Sequence, residues 1–221
     1  MSSKVVVFFG PPGVGKGTQC GLLAQRLGVS HVSTGGLLRA EIASGSELGG
    51  MVKSIVAAGK LVGDDLLFGC LEAFLRRADV STGVLLLDGV PRNVSQVNGL
   101  DAVLSRFSLK VDAVVSLVAP VEKLVERFSK RWTCTCGQVE AFEADQDSHA
   151  FKCPKCQKVG SFSRRDDDRP EVVTKRMEIY HSETAPVEAL YAKRGQVSHV
   201  DGLRSVETVY VGVAKSILDL L

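Results

Sequence analysis

The stretch Gly10-Pro11-Pro12-Gly13-Val14-Gly15-Lys16-Gly17-Thr18 decides the fold. Just before it, Val5-Val6-Val7-Phe8-Phe9 is short, apolar and mostly β-branched, the pattern of a buried strand. Just after it, Cys20, Leu23, Ala24 and Leu27 recur at helical spacing. A strand that ends in a glycine turn and opens a helix is the setting of a phosphate-binding loop. Small residues let the backbone wrap closely around phosphate oxygens. The N–H groups at a helix N-terminus favour negative charge, and Lys16 adds a mobile ammonium for terminal phosphates. An ordinary glycine turn before a core helix is the plainer alternative, but strand, loop, lysine and helix all agree on the first reading. Gly17, not Ser or Thr, follows the lysine, so the hydroxyl that usually holds magnesium comes one place later, at Thr18. That shift points to a subset of phosphate-loop proteins.

The chain around the loop has 221 residues, 45% of them hydrophobic, which suits one compact domain carrying insertions. A formal net charge of +2 makes no bulk field for nucleic acid or membrane, so any basic chemistry must come from locally placed arginines. No apolar run approaches a membrane span. The short apolar stretch after Lys4 runs straight into the loop, unlike a signal peptide, and no Arg- and Ser-rich transit segment is present. We therefore expect a cytoplasmic protein with no nucleic-acid or membrane partner. Of six cysteines, Cys20 and Cys70 stand alone in helical patterns and read as core residues. The other four cluster between positions 134 and 156, which suggests a metal site rather than disulfides.

Strands and helices then alternate. His31-Val32-Ser33 is a short strand candidate, and Ser33 or Thr34 can cap the helix that follows. Short helices are expected over 37–44 and 47–58. Residues 59–65 read as a loop, with Asp64 capping a helix over 65–77 whose Leu66, Leu67, Cys70, Leu71, Phe74 and Leu75 form an apolar stripe. Val84-Leu85-Leu86-Leu87-Asp88-Gly89 is a second buried strand ending in an acid. A carboxylate at that place commonly lies near magnesium; an Asp-Gly turn is the alternative, and the phosphate loop in the same chain favours the first. Arg92 follows just past the strand. A helix over 94–106, a strand over 111–118, a helix over 120–130 and a cysteine-bearing insertion over 131–163 come next. A long helix over 170–194 has Pro170 in its first turn. A strand over 196–200, the turn Asp201-Gly202 and a helix over 205–221 close the chain. The alternation implies an α/β fold with a parallel sheet covered on both faces.

Arg39, Arg92, Arg127, Arg131, Arg165 and Arg176 recur where strands and helices meet. Any one of them could be an ordinary solvated residue, but the set suits phosphoryl transfer. That reaction needs positive groups around spreading charge and little acid–base chemistry, and guanidinium forks supply them by geometry and permanent charge. The four histidines are scattered, and no Ser-His-Asp or paired-carboxylate arrangement competes. Cys153-Pro154-Lys155-Cys156 is a common zinc half-site; Cys134-Thr135-Cys136 is one residue shorter than usual. Together they can form a closed tetrahedral site, with His149 as a possible substitute for one thiolate, and a metal would largely hold together an insertion with little core of its own.

In order and spacing, these motifs resemble those of the adenylate kinases, in the long form with a zinc-type lid. The resemblance spans essentially the whole chain. It rests on the loop at 10–18, Ser-Thr-Gly at 33–35 with Arg39, Gly-Lys-Leu-Val at 59–62, and Asp-Gly-Val-Pro-Arg at 88–92 with Gln96. It continues with Glu-Arg at 126–127, Arg131, Arg-Asp-Asp-Asp-Arg-Pro-Glu at 165–171 and Asp-Gly at 201–202. It implies a three-layer P-loop kinase fold around a central parallel five-stranded sheet. The core would comprise residues 1–32, 63–126 and 167–221, with a mobile monophosphate-binding arm at 33–62 and a mobile lid at 127–166.

Carried over position by position, the amides of Gly13, Val14, Gly15, Lys16, Gly17 and Thr18 hold the ATP phosphates. Thr34, Arg39, Lys60, Leu61, Val62, Gly89, Arg92 and Gln96 line the AMP side. Arg127, Arg131, Arg165 and Arg176 reach the phosphates when the lid closes, the last two on the AMP side. Arg204 belongs to the stretch that covers the donor adenine, and Asp88 orients Mg2+. Zn2+ is implied in the lid on Cys134, Cys136, Cys153 and Cys156. The chain departs from the family pattern at Gly36 (usually Asp), Val90 (usually Phe), Gly63 (commonly Pro or Thr) and Lys130 (commonly Gly). The implied activity is reversible transfer of the ATP γ-phosphoryl group to AMP, giving two ADP, by a monomer. The alternatives are a same-fold kinase for another monophosphate or with GTP as donor, and a zinc-ribbon nucleic-acid-binding protein with a vestigial nucleotide site.

Overall fold

The computed structural model of the chain describes residues 3–58, 60–77, 83–143 and 146–218, without the side chains of Glu47 and Leu48. Gly59 of the expected 59–62 motif and the last residues of the closing helix lie outside the described residues.

The central sheet is parallel and five-stranded, in the order β2-β3-β1-β4-β8. Its strands are β1 (Lys4–Phe9), β2 (Ser30–Ser33), β3 (Val84–Asp88), β4 (Val111–Val118) and β8 (Val197–Asp201). Strand side chains alternate between faces, and both faces are covered. Val5, Val7 and Phe9 pack toward α4 (Asp64–Arg77), α5 (Val94–Ser105) and α8 (Ala185–Lys193). Val6 and Phe8 pack toward α1 (Lys16–Leu27), α6 (Val121–Lys130), α7 (Pro170–Ile179) and α9 (Val206–Leu218). Burial on both faces is why β1 and β3 are apolar at consecutive positions instead of alternating. Leu71 and Leu100 are fully buried in the first layer, where each stabilises the fold by about 1.5–3 kcal/mol relative to exposure. All five strands run the same way, so the loop after β1, Ser33 at the end of β2 and Asp88 at the end of β3 share one edge of the sheet.

Two smaller units flank that edge. The helices α2 (Thr34–Ala43) and α3 (Glu47–Ala57) pack on each other around Leu38, Val52 and Val62. Ser33 caps α2 through Gly36 N–H at 3.2 Å, and Ser46 caps α3 through Gly49 N–H at 2.9 Å. The insertion after α6 is an antiparallel sheet ordered β6-β5-β7, built from β5 (Arg131–Cys134), β6 (Val139–Ala141) and β7 (Phe162–Ser163). It does have a core of its own. Phe142 and Phe162 are buried, and edge-to-face contacts join Phe142 to Trp132, Phe151 and Phe162. Such contacts are each worth about 0.5–1.5 kcal/mol beyond area burial.

Three other readings change. The long helix expected over 170–194 is interrupted by a π-helical turn, Tyr180–Thr184, where Ala185 N–H reaches back to Tyr180 O. Pro186 follows directly and has no N–H for the regular ladder, which favours the wider turn. Asp64 does not cap α4 with its side chain. Gly63 O accepts from Leu67 N–H at 3.1 Å, and the Asp64 carboxylate turns to α5 instead. Cys70 is only half-buried, unlike Cys20.

Candidate active site

The loop leaves β1 through Gly10, whose φ of 128° and closeness to Leu117 leave no room for a side chain: an added Cβ would lie 2.3 Å from Leu117 O. Gly15 is the N-cap of α1 at φ 108°, with no side-chain cap. Among the described residues, no acceptor is found for the N–H groups of Gly13, Gly15, Lys16, Gly17 and Thr18. These orphan donors at a helix start make an anion site. Lys16 Nζ folds back onto the loop, donating to Gly10 O at 2.6 Å and Pro11 O at 3.0 Å. Burial lowers its pKa to about 8, partly offset by Asp88, with Arg92 and Arg176 adding to the fall. Asp88 faces the same loop: a Cβ on Gly17 would sit 3.4 Å from Asp88 Oδ2. A hard carboxylate oxygen beside the loop fits Mg2+, which prefers oxygen ligands.

A cleft lies between α2, α3 and the end of β3. Thr34, Arg39, Val62, Gly89, Arg92 and Gln96 line it, with Lys60 and Leu61 at its rim. Thr34 Oγ1 donates to the backbone, 3.0 Å from Gly89 O and 3.2 Å from Asp88 O. Arg92 Nε donates to Gly89 O at 2.8 Å. Burial lowers the pKa of both Arg92 and Arg39; neighbouring aspartates oppose the fall and a neighbouring arginine adds to it.

From the other side come Arg127 and Arg131 on α6 and β5, Arg165 after β7, and Arg176 on α7. Arg127 donates to Val14 O at 3.3 Å, and Arg165 Nε to Thr133 Oγ1 at 2.8 Å. Arg131 forms a two-pronged pair with Asp168, its Nε at 2.8 Å from Oδ2. Arg176 donates to Asp167 Oδ2 at 2.8 Å, and the Phe128 ring lies under both Arg131 and Arg176. Burial first, then crowding by like charges, lowers Arg165 to about 10; burial, resisted by Asp167 but aided by Arg131 and Arg92, does the same to Arg176. Arg204 stands apart, largely exposed and 3.0 Å from Asp201 Oδ2. A set of cations desolvated together is a place where negative charge is stabilised.

Sequence reading gave no role to Asp167 and Asp168, which form the 3₁₀ turn Asp166–Asp168. Their signal is the run of three acids directly after Arg165. Asp64 and Thr133 were missed as well, since neither sits in a recognisable motif.

The four thiols of the insertion converge. Cys134 Sγ lies 3.5 Å from Cys156 Sγ and 3.4 Å from Cys136 Sγ, and Cys136 Sγ lies 3.7 Å from Cys153 Sγ. All four sulfurs lie within 4.8 Å of one another, and none is in a disulfide. A tetrahedron with Zn–S bonds of about 2.3 Å has edges of about 3.8 Å, so the thiols fit zinc. Each pair closes on a turn with positive φ just beyond it, at Gly137 (88°) and Gln157 (62°). Gly137 N–H returns to Cys134 O at 2.8 Å, and Gln157 N–H to Cys153 O at 2.9 Å. The tight Cys-x-Cys spacing is therefore accommodated, and exposed His149 stays outside the cluster. Burial opposes ionisation of Cys134, but hydrogen bonds from the Cys136 backbone and Ser161 hold it at about 6.

A family model for adenylate kinase matches residues 8–196. An adenylate kinase of Stenotrophomonas maltophilia (strain R551-3) is 41% identical over 212 residues, covering 96% of this chain and 98% of its own. One of Xanthomonas euvesicatoria is 42% identical over the same shares. One of Kosmotoga olearia is 38% identical over 216 residues, covering 97% and 99%. The chain belongs to the adenylate kinase family, whose members are nucleoside monophosphate phosphotransferases.

Proposed function

We propose that the protein transfers the γ-phosphoryl group of ATP reversibly to AMP, giving two ADP. The observation that carries this reading is the placing of Arg39, Arg92 and Arg176 on one cleft beside the loop lysine, with Arg131 and Arg165 close enough to interact with them electrostatically. An AMP phosphate oxygen forms a bond to the γ-phosphorus as the bond from that phosphorus to the β–γ bridging oxygen breaks, leaving its electrons on the β-phosphate. The loop amides and Lys16 hold the donor phosphates. Arg92 and Arg39 hold the acceptor phosphate, and Arg127, Arg131, Arg165 and Arg176 offset charge on the moving group. Mg2+ bound with ATP would supply further charge neutralisation, with Asp88 as the residue that orients it.

The same reading makes 33–62 an arm and 127–166 a lid that close over the nucleotides and exclude water, which would otherwise hydrolyse ATP. Contact between α3 and the Asp166–Asp168 turn supports an approach of the arm to the place where the lid rejoins the core. Zinc on Cys134, Cys136, Cys153 and Cys156 would be structural. The test is ADP formation from ATP with AMP, CMP, UMP and GMP in turn, with GTP as a second donor. AMP with ATP should be preferred; equal turnover of a pyrimidine monophosphate would refute the acceptor assignment.

A further inference from the structure

Gln96 lines the acceptor cleft and is only 1% exposed. It sits in the first turn of α5, where its own backbone N–H donates to Asn93 Oδ1 at 2.9 Å. Its side-chain amide is held from both ends. Nε2 donates to Asp64 Oδ1 at 2.8 Å, and Oε1 accepts from the Arg92 backbone N–H at 2.7 Å. A carboxylate only accepts and a backbone N–H only donates. Turning the amide over would set oxygen against carboxylate oxygen and N–H against N–H at those same distances. One orientation is therefore permitted, and it leaves one N–H and one oxygen lone pair for a ligand.

A purine presents its donor and acceptor in an order set by the group at C6. Adenine offers an N6–H donor beside the N1 acceptor, whereas guanine and hypoxanthine offer an O6 acceptor beside an N1–H donor. A freely turning amide can match either order; a fixed amide matches one. We propose that Asp64 is a positioning residue for acceptor specificity: it fixes the Gln96 amide in the orientation that accepts a 6-aminopurine monophosphate and rejects a 6-oxopurine one. The inference rests on the proposed placement of the AMP base beside Gln96.

Asp64→Asn tests it, because an asparagine amide both donates and accepts and so opposes neither orientation at the Nε2 end of Gln96, leaving the Arg92 backbone N–H alone to resist the turned-over amide. The measurement is kcat/KM for AMP and for inosine monophosphate with ATP as donor, in wild type, Asp64→Asn and Gln96→Ala. The ratio of AMP to inosine monophosphate should fall by about fivefold or more in Asp64→Asn, the lower end of what one bidentate pair supplies, since Arg92 N–H remains, and should collapse in Gln96→Ala. A ratio that collapses in Gln96→Ala yet stays within twofold of wild type in Asp64→Asn overturns the role of Asp64 and leaves the base placement standing. A ratio unchanged in Gln96→Ala overturns the base placement, and the inference with it. If thermal melting shows Asp64→Asn to be unfolded, Asp64→Ser, whose hydroxyl also donates and accepts, is read by the same criteria.

Discussion

Replacing Thr133 by valine should disarm Arg165 without disturbing the lid. Thr133 lies on β5 between Arg131 and Cys134, and its hydroxyl accepts from Arg165 Nε at 2.8 Å. Among the described residues it is the one hydrogen bond made by the Arg165 side chain, so the direction of the remaining guanidinium N–H groups depends on it. A hydrogen bond to a charged group is worth about 1.5–3 kcal/mol. If the whole of it serves to aim Arg165 at transition-state charge, kcat/KM should fall by about tenfold to about 150-fold, with most of the loss in kcat. Valine keeps the shape of threonine and suits a strand at least as well, so the pairing of β5 with β6 and β7 should persist. The assay is coupled ADP formation under saturating ATP and varied AMP, with melting temperature and zinc content measured on the same preparation. Thr133→Ser, which restores the hydroxyl, should recover most of the activity. A Thr133→Val enzyme with kcat/KM within twofold of wild type would refute the reasoning, and so would a serine variant as impaired as the valine one.

The remaining expectations are shorter. Burial sets the Lys16 pKa at about 8, so kcat/KM, which reports the free enzyme, should decline as pH rises through that value. The stability effect has the opposite sign: between about 8 and the ordinary lysine value of 10.5 the unfolded chain holds more protons than the folded one, so stability without nucleotide should rise across that window. A flat kcat/KM from pH 7 to 9.5 would count against it. Arg92→Ala and Arg127→Ala should each lower kcat on the order of 10³-fold, but the double variant should lose much less than the product; multiplicative losses would argue against one shared phosphate centre. Protein purified without added zinc should carry one zinc per chain by mass spectrometry, and chelation should lower the melting temperature while leaving phosphoryl transfer measurable when cold. Less than about a tenth of a zinc per chain would contradict the tetrathiolate reading.

What the sequence disclosed follows from how local each signal is. The strand, glycine loop and helix at 5–27 are contiguous, so period and turn chemistry reveal them together. Leu85-Leu86-Leu87-Asp88 declares its burial and its terminal acid within a few residues, and the thiols of Cys153-Pro154-Lys155-Cys156 carry their own spacing. Strand order is not local: nothing in Ser30–Ser33 says that it pairs with β3 and not with β1. The aromatic core of the lid was overlooked because Trp132, Phe142, Phe151 and Phe162 are spread over 31 positions without helical or strand period. Asp64 reads as a helix cap from sequence because Asp before an apolar stripe usually is one; only the approach of α4 to α5 gives its carboxylate a better partner in Gln96.

The arginines show the same division in its most consequential form. Each is visible as a charge, and none can be aimed from the sequence, because the acceptors that hold Arg92, Arg127, Arg131 and Arg165 are distant in the chain or hidden in the backbone. Asp168 holds Arg131 from 37 residues away, Thr133 holds Arg165 from 32, and Val14 O holds Arg127 from 113. Arg92 and Lys16 are aimed by nearby carbonyls, at Gly89, Gly10 and Pro11, which carry no sequence identity at all. Asp167 and Asp168 look misplaced in a site for phosphates if charge alone is counted. They fit once orientation is counted, since a guanidinium has five donors and a carboxylate that engages two of them fixes the plane of the rest. Removing Asp168 should therefore release Arg131 rather than strengthen the positive field, and the site would lose aim while gaining charge.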